Sequence, residues 1–107
     1  MAKCKITVLK KMINRDLIDE YCSLDLSDQC LGCHLLTVGE EFIVEDHNTI
    51  PEGFCSWAWG DIQKDVTTVM FDGSFPWMKK SGVAIACCSD GLMPVVFKIE
   101  KISPQTS

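Results

Sequence analysis

Only one stretch of this chain has the spacing of a full amphipathic helix. Trp59, Ile62, Val66 and Val69 recur at three to four positions between residues 57 and 70, so they share one face. Ser56 stands before the stripe as an expected N-cap, and Asp72-Gly73 ends it. Gly60 weakens the helix by about 1 kcal/mol relative to alanine without forbidding it. Most of the remaining pattern reads as strands. Cys4, Ile6 and Val8 oppose Lys3, Lys5 and Thr7 in a strand over 3–11. A second strand spans 40–46 with Phe42 and Val44 inward. A third spans 83–88, read as buried on both faces. A fourth spans 94–102 with Val95, Phe97 and Ile99 inward. The last two form a hairpin about Ser89-Asp90-Gly91. Asn14 caps a short helix to Tyr21, with Leu17, Ile18 and Tyr21 inward. The predicted fold is α+β: a small, mainly antiparallel sheet of about four strands packed on one main helix. It forms a single domain over 1–107, with a frayed tail at 103–107.

Between Cys22 and Gly39 periodicity fails. Serine, aspartate, glycine and three cysteines dominate, and a long irregular loop in a small domain is usually held by a function or a ligand. The chain has 7 cysteines in 107 residues. Its opening reads as a strand and not as a signal peptide. That predicts a cytoplasmic, reduced protein whose thiols serve metal or redox chemistry and not disulfides. No segment is apolar for long enough to span a membrane. A net charge of −5 and a pI of about 4.8 leave no basic footprint for nucleic acid. The lysines at 3, 5, 10 and 11 read as a solvated strand face.

Four motifs stand together in order: Gly53-Phe54-Cys55-Ser56-Trp57-Ala58-Trp59, Phe75-Pro76-Trp77, Ala86-Cys87-Cys88-Ser89-Asp90-Gly91 and Pro94-Val95-Val96-Phe97-Lys98. With Cys33 placed before Gly39-Glu40-Glu41-Phe42, the chain resembles a family of small, uncharacterised prokaryotic proteins of about a hundred residues, frequent in anaerobes. The resemblance spans the chain from its first strand to Ile102. It implies the fold outline and names no activity.

Cys30-Leu31-Gly32-Cys33 is the sharpest chemical signal. Two cysteines three apart around a glycine turn both sulfurs to one ion, because glycine permits the positive φ that closes the loop. A structural zinc or an iron–sulfur cluster wants four ligands. Cys22 and Cys55 complete the expected set, with Cys88 in reserve. Cys55 precedes the main helix, whose N-terminal partial charge favours an anionic sulfur. Cys87 and Cys88 alternate across a strand, so Cys87 is expected in the core and Cys88 on the other side, near a site. Cys30 to His34 also matches a covalent haem signature. Haem attachment generally needs an exported chain, so haem is disfavoured.

Three functions follow. The first is a metal- or iron–sulfur-binding accessory protein serving a partner redox enzyme. The second is a thiol redox or reactive-cysteine enzyme using Cys55 with Cys30 or Cys33. The third is a metal-free small-molecule or protein-binding oligomer using Trp57 and Trp77. The first requires distant sulfurs to converge beside the start of the main helix.

Overall fold

The computed structural model describes residues 3–22 and 36–102. Strand β1 (Lys3–Lys11) is followed by helix α1 (Arg15–Tyr21), strand β2 (Glu41–Val44), helix α2 (Ser56–Met70) and strands β3 (Val83–Cys87) and β4 (Val95–Ile102). The four strands form one antiparallel sheet in the order β2-β1-β4-β3. This is the expected α+β class.

Register explains the core. Ile6 pairs with Phe42 on one side and Ile99 on the other, and Ile99 pairs with Ala84. A second row runs through Val8, Phe97 and Ala86. Small alanines on β3 beside large residues on β4 leave room for α2. That helix buries Ala58, Ile62, Val66 and Val69 against the sheet. Each large aliphatic side chain so buried contributes about 1.5–3 kcal/mol. Cys4 is fully buried in this layer, as a small core residue.

The other sheet face is solvated. Lys5 reaches Glu41 at 3.5 Å and Glu100 at 4.0 Å, and Lys98 reaches Glu100 at 3.2 Å. Lys3 and Lys5 therefore belong to a charged strand face, each exposed pair worth about 1 kcal/mol at most, whereas Lys11 departs from the expected solvated face: it pairs with buried Val95, is half-buried and donates to the Leu36 carbonyl at 2.6 Å.

Four further expectations need correction. The strand at 83–88 is not buried on both faces: β3 is a sheet edge, and Ile85 is 49% exposed. Cys87 shares that outer face and is exposed, so it is no core thiol. In α1 only Ile18 is buried, and Tyr21 is 75% exposed. A two-turn helix that touches the body along one line buries one side chain. Finally, the cap of α2 is Cys55, with Ser56 already helical.

The end of α2 closes in a Schellman motif. Asp72 N–H donates to the Val69 carbonyl at 3.2 Å, and Gly73 N–H to the Thr68 carbonyl at 2.8 Å. Asp72 takes the left-handed position with φ 68°, which aspartate tolerates better than most residues. Its carboxylate also bonds Lys101. In β1, Val8 pairs with Phe97 and Lys10 with Val96, so Leu9 is an extra residue. Such a bulge bends a strand. Beyond it the chain reaches the β3–β4 loop, where Met12 N–H donates to the Pro94 carbonyl at 2.8 Å.

Candidate functional site

The start of α2 is set by Phe54, the residue before the cap. Its ring is buried edge-on to Phe42, with centroids 4.9 Å apart, and lies 5.4 Å from Phe97. With Phe54 anchored in the core, Cys55 has to leave at the edge of the helix layer. The Cys55 carbonyl accepts the first helical bond, from Trp59 N–H at 2.9 Å. Its side chain makes no capping bond, and the first turn holds no acid. The opening N–H groups of α2 thus have no partner inside the helix and carry its partial positive charge.

Cys88 follows β3 and closes the hairpin. Its N–H donates to the Val95 carbonyl at 3.0 Å, and its sulfur accepts Val95 N–H at 3.3 Å. The loop beyond is fixed from two sides. Ser89 N–H donates to Asp61 Oδ2 at 2.7 Å, and the Trp57 indole N–H donates to Ser89 Oγ at 3.2 Å. Both bonds tie the loop to α2. From the other side, Asn14 Nδ2 donates to the Gly91 carbonyl at 2.6 Å and Asn14 N–H to Leu92 at 2.9 Å. Asp90 Oδ1 accepts Leu92 N–H at 2.9 Å and Met93 N–H at 3.2 Å, an Asx turn that shapes the loop from within.

Between this loop and the first turn of α2 lies a cavity of about 500 Å³. Cys55, Trp57 and Ala58 line it from the helix, Cys88 to Gly91, Met93 and Val95 from the hairpin, and Leu36 from the segment leading into β2. Its volume falls in the usual range of small-molecule and cofactor sites. Two cysteines distant in sequence therefore share one cavity at the start of the main helix.

The other expected ligands fare differently. Cys22 is the half-buried C-cap of α1 and is not among the residues lining the cavity. Cys30, Cys33 and His34 lie outside the described residues. Among the described residues, no group of three or more histidine, cysteine, aspartate or glutamate side chains is placed to hold an ion. The described cysteines, 4, 22, 55, 87 and 88, are free thiols. Cys87 points away from the cavity, and its thiol donates to the Cys88 carbonyl at 3.2 Å. Partial burial lifts its pKa above the ordinary 9.0, and the negative charge of Cys88 and Asp61 adds to the rise. Burial pushes Cys4 up to about 12.

His47 belongs elsewhere, with Nδ1 3.4 Å from Thr67 Oγ1 and its ring against Phe71. Trp57 is on the cavity rim and 70% exposed. Trp77 is 76% exposed and stacks on Phe75, apart from the cavity. Met93, Ser89 and Asp61 are site residues that the linear pattern did not single out. The available signal was the Ser-Asp-Gly turn between Cys88 and Pro94, which returns the hairpin at the same end as the helix start. No described helix is long and apolar enough to cross a membrane. Comparison with protein-family models, with curated proteins and with solved structures finds no match.

Proposed function

We propose that this cavity is the working site and that it holds a metal ion or an iron–sulfur cluster. Cys55 and Cys88 ligate from its walls, and Cys33 and Cys30 supply the remaining sulfurs. The carrying observation is that Cys55 and Cys88 line the same cavity. Leu36 lines it too, and Cys33 stands three positions earlier, so chain geometry keeps its Cα within about 11 Å of Leu36 Cα. Four thiolates meet the usual need of a structural zinc or a cluster. The N-terminus of α2 offsets part of the negative charge they bring together. In this reading the protein is a cytoplasmic accessory or electron-transfer module for a partner redox enzyme, with no catalysis of its own. An oxygen-sensitive centre also suits the resemblance to proteins of anaerobes.

The test is elemental analysis and visible absorbance of the full chain purified without oxygen, beside C55S, C88S and the C30S/C33S double variant. Stoichiometric zinc or iron that falls sharply in each variant supports the proposal. Metal-free, colourless wild-type protein overturns it. Rapid alkylation of Cys55 alone near neutral pH, in metal-free protein, would instead favour thiol redox chemistry.

A further inference from the structure

Strand β3 forms one edge of the sheet, and the backbone bonds at its two ends show which of its groups face outward. Cys88 N–H donates to the Val95 carbonyl, and Lys101 N–H donates to the Gly82 carbonyl. In an antiparallel ladder every second residue exchanges bonds with its neighbour. Residues 82, 84, 86 and 88 therefore bond toward β4, and the N–H and C=O groups of Val83, Ile85 and Cys87 point to the open side. Among the described residues no strand pairs there. Natural edges carry a lysine, a proline, a bulge or an inward charge that deters pairing. The sequence Val-Ala-Ile-Ala-Cys has none of these, and its register on β4 runs without a shift. The opposite edge is guarded. Strand β2 carries Glu41 and is flanked by Glu40, Glu45 and Asp46, so a second copy there would set acid against acid.

We infer that β3 is a homodimer interface, pairing antiparallel with β3 of a second copy across a two-fold axis at Ile85. Outward groups have to meet outward groups. With the axis at Ile85 all of them find partners: Ile85 faces the partner's Ile85, and Val83 faces the partner's Cys87. Any other axis leaves Val83 or Cys87 without a partner inside the strand. Charge agrees with this register. Lys80 precedes the strand and Asp90 follows it, each five positions from Ile85. Antiparallel copies thus bring the lysine end of one beside the aspartate end of the other. The Ile85 side chain, exposed on the solvated face, gains an apolar cross-strand neighbour in its own counterpart. Five residues make a small contact, so the dimer forms reversibly as concentration rises. Cys88 lies beyond the pairing strand, so this interface does not depend on what the cavity holds.

The experiment is sedimentation equilibrium of the reduced full chain over a concentration series, with amide exchange followed residue by residue. Wild type should move from the 12.0 kDa chain mass to twice that value. The amides of Val83, Ile85 and Cys87 should gain protection in step, while those of Ala84 and Ala86, bonded to β4, stay protected throughout. Ile85→Lys sets two like charges face to face and should weaken dimerisation about tenfold or more. Lys80→Glu opposes the partner's Asp90 and should weaken it about threefold, most at low salt. Ile85→Cys should give, on mild oxidation, a dimer linked through residue 85, since Cα atoms of bonded pairs lie about 5.5 Å apart. Native Cys87 should give no link to its own counterpart, which lies four residue steps or about 14 Å away along the strands. Where Ile85→Lys fails to fold, Lys80→Glu and Ile85→Cys keep the inference testable. A monomer at every concentration overturns it. A dimer that folded Ile85→Lys leaves intact, or whose three outward amides exchange unprotected, also overturns it and places the contact elsewhere, such as at Trp57 or Trp77.

Discussion

The same substitution at a glycine inside α2 and at the glycine just beyond its end should have opposite effects. Gly60 lies inside α2, exposed, and a Cβ built there meets nothing within 4 Å. Gly60→Ala should therefore stabilise the protein by about 0.8–1.0 kcal/mol, the difference in helix propensity. Gly73 closes the Schellman motif. A Cβ there lies 2.6 Å from Thr68 Cγ2 and 2.8 Å from the Thr68 carbonyl oxygen. Thr68 is not free to turn aside, because its hydroxyl donates to the Lys64 carbonyl at 2.9 Å. The carbonyl is the acceptor of the capping bond itself. Gly73→Ala must force the motif open, adding overpacking of about 1–3 kcal/mol to a lost bond of about 1 kcal/mol. A net loss of roughly 2–4 kcal/mol lowers Tm by roughly 8–16 °C in a domain of this size, at about 4 °C per kcal/mol, against a rise of about 4 °C for Gly60→Ala. Urea unfolding followed by tryptophan fluorescence reads both, and an unchanged m-value keeps the comparison valid. Equal signs, or Gly73→Ala within about 0.5 kcal/mol of wild type, would refute this account of the helix end.

Further outcomes follow from single contacts. Cys4 ionises near 9.0 when unfolded but stays protonated to about 12 in the core. The unfolded state then binds fewer protons, so stability should fall between those values at up to about 1.4 kcal/mol per pH unit. Denaturant melts of wild type and Cys4→Ala across this range should diverge in slope, and parallel curves would contradict the burial of Cys4. At Cys87, alkylation should reach half its maximal rate only above pH 9.0, and Asp61→Asn should move that midpoint down by removing a neighbouring negative charge. A midpoint that stays put or rises would place Asp61 away from this thiol. Asn14→Ala removes the 2.6 Å bond to the Gly91 carbonyl and should cost about 1 kcal/mol in thermal or urea melts. No measurable loss would mean that this bond does not hold the loop.

The strands and the main helix were legible because each has one wet face. Ile6, Phe42 and Ile99 alternate with charged residues, and Trp57 falls off the Trp59–Ile62–Val66 stripe, so its exposure followed from spacing alone. Strand order was not legible. Val83 to Cys88 is apolar throughout, and local pattern cannot separate a central strand from an edge that carries Ile85 and Cys87 outward. The short helix misled for a related reason. Its inward face depends on where Asn14 docks on the 91–92 loop, a contact between distant parts of the chain. The candidate site was half legible. Cys55 was marked by its place at a helix start and Cys88 by strand alternation. Met93 and Asp61 enter only through the return of the hairpin beside α2, which no local pattern encodes.

X-ray absorption at the metal edge of the loaded protein tests the shared-cavity claim most directly. Sulfur-only ligation in wild type, losing one sulfur scatterer in C55S and one in C88S, is the predicted result. A shell of nitrogen and oxygen, or a sulfur shell unchanged by either substitution, would contradict it.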